Sequence, residues 1–471
     1  MRVWVLPAVI AVIAAGVVLG GSAQGATLAT GDSRQVSQPV VPAVCATVTS
    51  TLPTPASRTF SSTQEATPPD TSRIQSALNS CLGTGKAVQL AAAGGDTAFL
   101  AGPLKVGGGE TLLVSPGVTL FASSNAAQYQ IAGKPTCGTV QSGDGGCTSF
   151  LTVNGANAAI MGTTTGSGSQ GRIDGRGDIT LHGGTESWYQ LALDAKNNGG
   201  HQNNPTLLTA TANDFTLYDV DLIDSPFFHV AFRNADGFTA WGVRIDTPDT
   251  AKNTDGIDTF GAADVTITNS FIQDGDDCVA IKASAPSRNI TVSNNHCYGT
   301  HGLSIGSETN GGLTNVLMTN NTVQGTDSSG TRSSDDNGIR IKSDSSRGGA
   351  VTQITYVNTC LTGVKRLLDF DPFYTSATGT KIPSYTDIVV NGVKSVSSVS
   401  GTSVLEGHDS THPLGLTLEN VSLDATATTA RNANIGVFDT DLTPAGTGVT
   451  VSSVAGSGSV PTCTFPAFPA L

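Results

Sequence analysis

The sequence predicts an all-β fold in which the chain coils into a single parallel β-helix, with a short helix capping its first turn. Three observations indicate this fold: a repeat of about 25 residues, a composition rich in turn residues, and one amphipathic segment near the N-terminus. Glycine supplies 56 of the 471 residues, whereas aromatic residues make up only 6% and charged residues 13%. This composition is typical of strands and tight turns rather than of helices.

The repeat is visible in seven segments that alternate apolar and polar residues, turn at Asn, Asp or Gly, and resume with a second apolar pair. Their sequences are DFTLYDVDLID, GFTAWGVRIDT, DVTITNSFIQD, NITVSNNHCYG, NVLMTNNTVQG, QITYVNTCLTG and GLTLENVSLDA. In the first five, the leading apolar residues are 23 to 27 positions apart, at Phe215, Phe238, Val265, Ile290 and Val316. Such a period predicts a solenoid, because each turn buries its inner face only against its neighbours.

An asparagine column recurs at the same point of these segments, at Asn269, Asn294, Asn320, Asn358 and Asn420. Asparagine tolerates backbone angles that most residues avoid, and a stacked column of its side chains can satisfy neighbouring backbone groups. We therefore expect these residues to form a structural ladder at one corner of the coil.

The amphipathic segment DTSRIQSALNSCL, residues 70–82, predicts the capping helix. Asp70 is a plausible N-cap and Gly83 a stop, while one face carries Ile74, Ala77, Leu78 and Cys81. An open solenoid end would expose both core and strand edges, so a helix at this position is expected to cover the first turn.

The N-terminus predicts export. Residues 1–26 combine Arg2, a long apolar run and small residues around Ala23 to Ala26, the pattern of a secretory signal peptide. A retained N-terminal anchor is the alternative reading. The sequence then divides into a tether leading into the first strand, residues 27–69, and a β-helix catalytic domain, residues 70–471. We expect an extracellular protein that is free of the membrane after processing.

Eight cysteines in an exported chain favour disulfides over metal ligation, since none lies in a CxxC pair. Sequence proximity suggests Cys45 with Cys81, Cys137 with Cys147, Cys278 with Cys297 and Cys360 with Cys463. The connectivity cannot be fixed from the sequence.

A net charge of −13 argues against nucleic acid or an anionic membrane as the partner. No metal or cofactor is expected, and we expect a monomer. A polyanionic substrate would need a local basic patch.

Four motifs carry the chemistry: NTDGID from Asn253, DGDDC from Asp274, THGLSIGS from Thr300 and GIRIKS from Gly338. Asp255 precedes Asp276 by 21 residues and Asp277 precedes His301 by 24, each close to one turn of the solenoid. Arg340 follows His301 by 39 residues, about one turn and an inserted loop. These intervals predict that the motifs stack on one face of the coil.

That face would combine three carboxylates, Asp255, Asp276 and Asp277, with two cations. Residues i and i+2 of a strand point the same way, so Arg340 and Lys342 project together while Ile341 faces the core. Glycosidic hydrolysis needs one carboxyl to protonate the leaving oxygen and another to activate water, and crowding would raise the pKa of one acid. The cations suit a carboxylate-bearing sugar, which points to a uronic acid polymer.

The motifs NTD, DGDDC, HG and RIK, in this order and at these spacings, resemble those of the polygalacturonases, glycoside hydrolases of family 28 that cleave pectin. The similarity extends from about residue 45 to the C-terminus. It implies a right-handed, pectin-lyase-like β-helix and inversion by a single displacement, with Asp276 as general acid and Asp255 and Asp277 activating water. It also implies that His301 supports the acid and that Arg340, Lys342, Tyr374 and Asn253 bind substrate. One departure is Thr300, where the family usually has glycine.

Other readings remain open at this point. Endo and exo attack are not distinguished, and a rhamnogalacturonan or xylogalacturonan hydrolase of the same family is an alternative. A calcium-dependent pectate lyase would share the solenoid but would use its acids as metal ligands. A non-catalytic sugar-binding β-helix would need no close set of carboxylates.

Overall fold

The structure, a computed structural model, describes residues 28–166 and 168–471. The predicted signal peptide, residues 1–26, lies outside the described residues. Through the described part the chain coils as a right-handed parallel β-helix, so the predicted fold class is confirmed. Each full turn contributes one strand to each of three parallel ladders. Parallel neighbours within a ladder can be joined only by a long connection, and here the other two strands of the turn form that connection.

Ladder 1 begins at the N-terminal end of the coil and continues to its C-terminal end. Its strands are Val44–Thr49, Lys86–Ala91, Glu110–Val114, Ala159–Gly162, Thr216–Tyr218, Thr239–Trp241, Ala263–Thr268, Ser287–Ser293, Leu313–Thr319, Ala350–Thr362, Ser384–Val396, Leu414–Ser422, Ala433–Thr440 and Val449–Ser453.

Ladder 2 lies next to ladder 1 around each turn and merges with it at Ala350–Thr362. Its separate strands are Ala98–Ala101, Thr119–Ala122, Gly171–Asp174, Val220–Ile223, Arg244–Asp246, Phe271–Gln273, His296–Tyr298 and Thr322–Gln324.

Ladder 3 completes each turn and carries the motifs singled out in the sequence. Its strands are Leu104–Val106, Leu151–Val153, Leu208–Ala210, Val230–Arg233, Ile257–Phe260, Val279–Lys282, Leu303–Ile305, Asn337–Lys342, Arg366–Asp371, Ser403–Glu406 and Thr428–Arg431. A separate antiparallel pair joins Val140–Gln141 to His201–Gln202.

The core is the interior of the coil, where the apolar leaders of successive turns stack. All five predicted leaders, Phe215, Phe238, Val265, Ile290 and Val316, are completely buried. The rings of Phe215 and Phe238 lie parallel with centroids 5.5 Å apart, as the stacking of equivalent positions requires.

The asparagine column lies at the corner between ladders 1 and 2. Asn269, Asn294, Asn320, Asn358 and Asn420 all have φ between +52° and +57°. Asparagine accepts this left-handed conformation at lower cost than most residues. The column continues through side chains in places, since Nδ2 of Asn358 donates to Oδ1 of Asn320 at 2.6 Å.

The capping helix, α2, spans Thr71–Cys81 and buries Ile74, Leu78 and Cys81 against the first turn. Asp70 occupies the N-cap position but makes no capping hydrogen bond, contrary to expectation. Its carboxylate instead accepts from the backbone N–H of Leu100 at 2.9 Å. Asp70 thus ties the helix to the first strand of ladder 2.

Two further helices were not identified from the sequence. Helix α1, Ser62–Ala66, lies within the expected tether, and helix α3, Trp188–Asn198, lies in an insertion between strands. Ser187 caps α3, because its hydroxyl accepts from the backbone N–H of Gln190 at 3.2 Å. A 3-10 helix covers Ala126–Tyr129. Among the described residues no helix has both the length and the hydropathy needed to span a bilayer.

Both ends of the described chain run along the outside of the coil. In the N-terminal strap, residues 29–38, the N–H of Ala29 donates to the hydroxyl of Thr355 at 2.8 Å. Farther along, Gln38 donates to the hydroxyl of Tyr218 at 2.8 Å. In the C-terminal segment, residues 454–471, the carbonyl of Pro466 accepts from the hydroxyl of Tyr298 at 2.9 Å.

The four disulfide bonds of the structure are the four pairs suggested by sequence proximity. They join Cys45 to Cys81, Cys137 to Cys147, Cys278 to Cys297 and Cys360 to Cys463. The first fastens helix α2 to the first strand of ladder 1, and the last fastens the C-terminal segment to the coil.

Candidate active site

Four successive strands of ladder 3 bring the predicted site residues together. Ile257 pairs with Val279, Val279 with Leu303, and Leu303 with Ile339. Two positions before each of these residues, the same register aligns Asp255 with Asp277 and Asp277 with His301. One turn therefore separates Asp255 from Asp277, whereas the sequence intervals had matched Asp255 with Asp276.

Arg340 and Lys342 converge on Asp277. The ammonium of Lys342 lies 2.8 Å from Oδ2 of Asp277, and Nη1 of Arg340 lies 3.9 Å from Oδ1. Ser304 donates to the same carboxylate at 2.6 Å. Ile341 is completely buried in the core, so the predicted alternation along this strand is confirmed.

Lys282 is a central site residue that the sequence analysis missed. Its ammonium lies 2.8 Å from Oδ2 of Asp255 and 2.6 Å from Oδ2 of Asp258. The register of ladder 3 pairs Phe260 with Lys282 and so brings this lysine beside the NTDGID turn. The available signal was the i, i+2 spacing of Ala280 and Lys282, which repeats that of Arg340 and Lys342 on the same face, two turns earlier.

Asp276 and His301 form a second polar pair. Nδ1 of His301 lies 3.0 Å from Oδ1 of Asp276, and the backbone N–H of His301 donates to the carbonyl of Asp276 at 2.6 Å. Asn253, held at φ +57°, directs its amide to the other carboxylate oxygen at 3.5 Å. The side chains of Asp276 and His301 keep 17% and 12% of their surface exposed.

The acids of the site differ in charge. Burial and then the charge of Asp258 raise the pKa of Asp255 well above its usual value, although Lys282 opposes them. Burial also raises the pKa of Asp274 well above normal. Burial would raise the pKa of Asp276 too, but the charge and hydrogen bond of His301, with Lys342 and Lys282, outweigh it and lower that pKa. The sequence predicts that crowding keeps one acid of the site protonated. In the free protein the pKa of Asp276 is lowered, so Asp276 is not that acid.

Asp276 and His301 line a cavity, whereas Asp255, Asp277, Arg340 and Lys342 lie behind its wall. The cavity is also lined by Asn253, Tyr374, Phe227, Asp335, Lys252, Lys196 and His201. Arg340 and Lys342 are only 3% and 5% exposed. Their cationic groups lie 5.2 Å and 5.0 Å from the centre of the Tyr374 ring, which covers them at the cavity surface.

Thr300, the residue that departs from the expected motif, fits its turn. It is completely buried, its φ is not positive, and its hydroxyl accepts from the N–H of Gly302 at 3.2 Å. The conformational freedom is needed at Gly302 instead, where φ is +85° and a Cβ would lie 2.3 Å from the carbonyl of Asn337. Thr300 therefore supports the loop that presents His301.

His229 lies behind the site rather than in the cleft. It is completely buried, with Nε2 2.8 Å from the hydroxyl of Thr247 and Nδ1 3.1 Å from the carbonyls of Thr254 and Asp255. Burial lowers the pKa of His229 to about 4, so the ring is neutral near pH 7. It anchors the NTDGID turn.

Within residues 28–166 and 168–471, two groups of side chains have the geometry to hold a cation. Asp276, Asp277 and His301 offer ligand atoms within 4.8 Å of one another, as do His408, Asp409 and His412. A cation in the first group would face the ammonium of Lys342, which already contacts Asp277. In the second group both imidazoles are already hydrogen-bonded to Asp409.

A parallel β-helix whose cleft combines several carboxylates with a histidine, arginine and lysines fits a glycoside hydrolase, the class to which the family match assigns the chain. Residues 117–442 match the model of glycosyl hydrolases family 28, and the chain belongs to this family.

Known proteins agree with this assignment. A polygalacturonase of Ralstonia solanacearum is 38% identical over 91% of this chain and 87% of the relative. An endo-polygalacturonase of Pectobacterium parmentieri is 40% identical over 86% of this chain and 93% of the relative. The solved structure of a polygalacturonase from Erwinia carotovora ssp. carotovora has a TM-score of 0.75 and 38% identity, covering 86% of this chain and 99% of that one.

Proposed function

We propose that this protein is a secreted polygalacturonase that hydrolyses the α-1,4-galacturonosidic bonds of pectin and polygalacturonate by an inverting single displacement. Its membership of family 28 and the polygalacturonase relatives that match most of the chain support the activity. The observation that carries the proposal is the meeting of Asp255, Asp276, Asp277, His301, Arg340 and Lys342 around one cleft.

Asp276 is the proposed general acid. It is the catalytic carboxylate that lines the cavity, where a glycosidic oxygen could approach it. The lowered pKa of Asp276 means that its carboxyl is ionised in the free protein. A bound polysaccharide that excludes water would disfavour the charged carboxylate, so that Asp276 would take up the proton that it then gives to the leaving oxygen.

Asp255 and Asp277 are the proposed activators of the attacking water. Lys342 and Ser304 orient the Asp277 carboxylate, whereas Oδ1 of Asp255 is buried and has no hydrogen-bond partner among the described residues. This open oxygen can hydrogen-bond the attacking water and position it. Because the pKa of Asp255 is raised, the proton of that water would pass to Asp277 rather than to Asp255. Departure of the sugar oxygen and attack of water would then proceed without a covalent intermediate.

Arg340, Lys342, Tyr374 and Asn253 are the proposed substrate-binding residues. Arg340 has fork geometry for a carboxylate, and Tyr374 lies between it and the cavity. In the free protein Asp335, from an inserted loop, lies 2.9 Å from Nη1 of Arg340. A galacturonate carboxylate would compete with Asp335 for this guanidinium.

Secretion is proposed from the signal-like residues 1–26 and is consistent with four disulfides, which persist in oxidising compartments. We further propose that the mature protein acts as a monomer without metal or cofactor.

The test is timed product sizing on polygalacturonate, with the anomeric form of the first products followed by proton NMR. Hydrolysis with early mixed oligomers and inverted products supports an inverting endo-enzyme, whereas monomer alone indicates exo attack. Unsaturated products that absorb in the ultraviolet, together with loss of activity in chelator, would instead identify a lyase and overturn the proposal.

A further inference from the structure

A second pair of cations lines the cavity and has no assigned role. Lys196 and Lys252 both border it, together with His201. Neither ammonium has a carboxylate within ion-pairing distance among residues 28–166 and 168–471, and His201 pairs only weakly with Asp144 at 3.8 Å. In contrast, Arg340 and Lys342 are closely surrounded by acids.

The two lysines are close enough to repel each other. Burial lowers the pKa of Lys252, and the charge of Lys196 lowers it further, while Asp276, Asp249 and Asp335 act in the opposite direction. Like charges held together in this way are unfavourable until an anion binds between them. In a chain with a net charge of −13, placing unpaired cations together at a cleft is an arrangement that attracts anions.

The position of the lysines along the coil distinguishes them from the first cation pair. Lys252 belongs to the turn of the coil before that of Asp276. Arg340 lies two turns after Asp276, because the register of ladder 3 pairs Ala280 with Ser304 and Ser304 with Arg340. Turns of a β-helix are about 4.8 Å apart, so the two cation pairs flank Asp276 along the cleft. The bond that Asp276 would cleave lies between two sugars, and in a polyuronate each of them carries a carboxylate.

Lys196 is brought to the cleft by an element outside the repeat. It lies in the last turn of helix α3, whose first residue, Trp188, is 1% exposed and packs edge-on against Tyr129. Gly199 ends the helix just before the strand that carries His201. The insertion is therefore held firmly enough to fix the side of the cavity that Lys196 occupies.

We propose that Lys196 and Lys252 form a second carboxylate subsite, which binds a uronate on the side of the cleaved bond opposite to Arg340 and Lys342. This inference rests on the proposed polygalacturonase function, which it extends by naming the residues that bind the carboxylate of the second sugar. The subsite requires free carboxylates, so it selects unesterified stretches of the polymer over methyl-esterified ones.

The experiment compares Lys196→Gln, Lys252→Gln and the double variant with the unchanged protein, using Lys86→Gln as the matched control because Lys86 is exposed on ladder 1. Initial rates are measured on polygalacturonate and on highly methyl-esterified pectin. Losing two charge-assisted contacts is expected to raise KM for polygalacturonate about tenfold in the double variant, with kcat little changed. The loss should be smaller on esterified pectin, and Lys252→Arg should restore much of it.

A second readout is the cleavage pattern of a reducing-end-labelled hexagalacturonate. Loss of the subsite should redistribute the cleaved bonds in the double variant but not in Lys86→Gln. An unchanged KM and an unchanged pattern in an active double variant would overturn this inference and leave the proposed function intact.

Failure of the proposed function would look different, since the unchanged protein would then release no reducing ends. In that case calorimetric binding of trigalacturonate decides the matter without turnover. Equal Kd values for the unchanged protein and the double variant would overturn the subsite.

Discussion

Nδ1 of His301 lies 3.0 Å from Oδ1 of Asp276, one turn of the coil away, and the backbone N–H of His301 contacts the carbonyl of the same aspartate. The two contacts fix the imidazole against the carboxylate that faces the cavity. Together with Lys342 and Lys282, His301 lowers the pKa of Asp276 against the effect of burial. The imidazole thus governs how readily the proposed acid holds the proton that it delivers.

Replacing the proposed general acid should abolish turnover while sparing binding. In Asp276→Asn, kcat on polygalacturonate is expected to fall by about 10² to 10⁴, the usual contribution of general acid catalysis. Calorimetry with trigalacturonate should give a Kd close to that of the unchanged protein. Asp439→Asn, an exposed Asp-to-Asn change outside the cavity, is the control. Retained turnover in Asp276→Asn would favour a different proton donor.

Removing the imidazole should move the alkaline limb of the pH–rate profile to higher pH. The charge and hydrogen bond of His301 lower the pKa of Asp276, so in His301→Asn the carboxyl of the proposed acid should keep its proton to a higher pH. The profile of kcat is measured from about pH 3 to pH 8 for both proteins. An alkaline limb at the same pH in the two proteins would show that His301 does not control the pKa of the catalytic acid.

The buried His229 should make the fold less stable in acid. Its pKa is about 4 in the folded chain against 6.5 for an ordinary histidine, so between these values the unfolded chain binds a proton that the folded chain does not. The free energy of unfolding therefore falls as pH drops from 6.5 to 4, by about 3 kcal/mol in total.

This contribution is measured by urea unfolding at several pH values in the unchanged protein and in His229→Gln. The variant is expected to lose less stability across the same interval, because glutamine does not titrate. Equal slopes in the two proteins would assign the acid sensitivity to other groups.

Neutralising Asp335 should strengthen substrate binding. The carboxylate of Asp335 is 40% exposed and lies 2.9 Å from Arg340, where it occupies the guanidinium that we assign to the substrate. Asp335→Asn should lower KM for polygalacturonate severalfold and reduce its dependence on salt, because a competing like charge is removed. A higher KM would mean that Asp335 itself contacts the sugar.

Removing the Lys282 cation should destabilise the protein, since it would leave two buried acids without a partner. Lys282→Met is expected to lower the free energy of unfolding by about 3 to 5 kcal/mol. Adding Asp258→Asn removes one of the two buried acids that would lack a partner. Part of the lost free energy of unfolding should therefore be recovered, as measured by urea unfolding. If the double variant is no more stable than Lys282→Met, the two side chains are not energetically coupled.

The coil and much of the site could be predicted because both follow from the length of the repeat. The buried leaders from Phe215 to Val316 and the left-handed asparagines recur at fixed intervals that the sequence displays directly. The same intervals group Asp277 with Arg340 and Lys342. Helix α3 was missed because it interrupts the repeat, although Ser187 and Gly199 mark its two ends.

The charge states of the site could not be predicted from spacing alone. Crowding of the acids indicates that one of them should hold a proton, but the structure raises the pKa of Asp255 and Asp274 and lowers that of Asp276. The difference depends on His301 and Lys282, whose partners are set by the register of ladder 3 and by side-chain direction. A one-residue change of register would exchange the roles of Asp276 and Asp277.

The N-terminal strap has a consequence for the order of folding. Ala29 meets Thr355, a residue 326 positions later in the chain, and Gln38 meets Tyr218. The partner of Ala29 exists only after most of the turns have been synthesised and wound, so the first residues of the strap stay undocked until late. The stretch beside the predicted cleavage site would thus remain open to a processing protease during export and close over the coil afterwards.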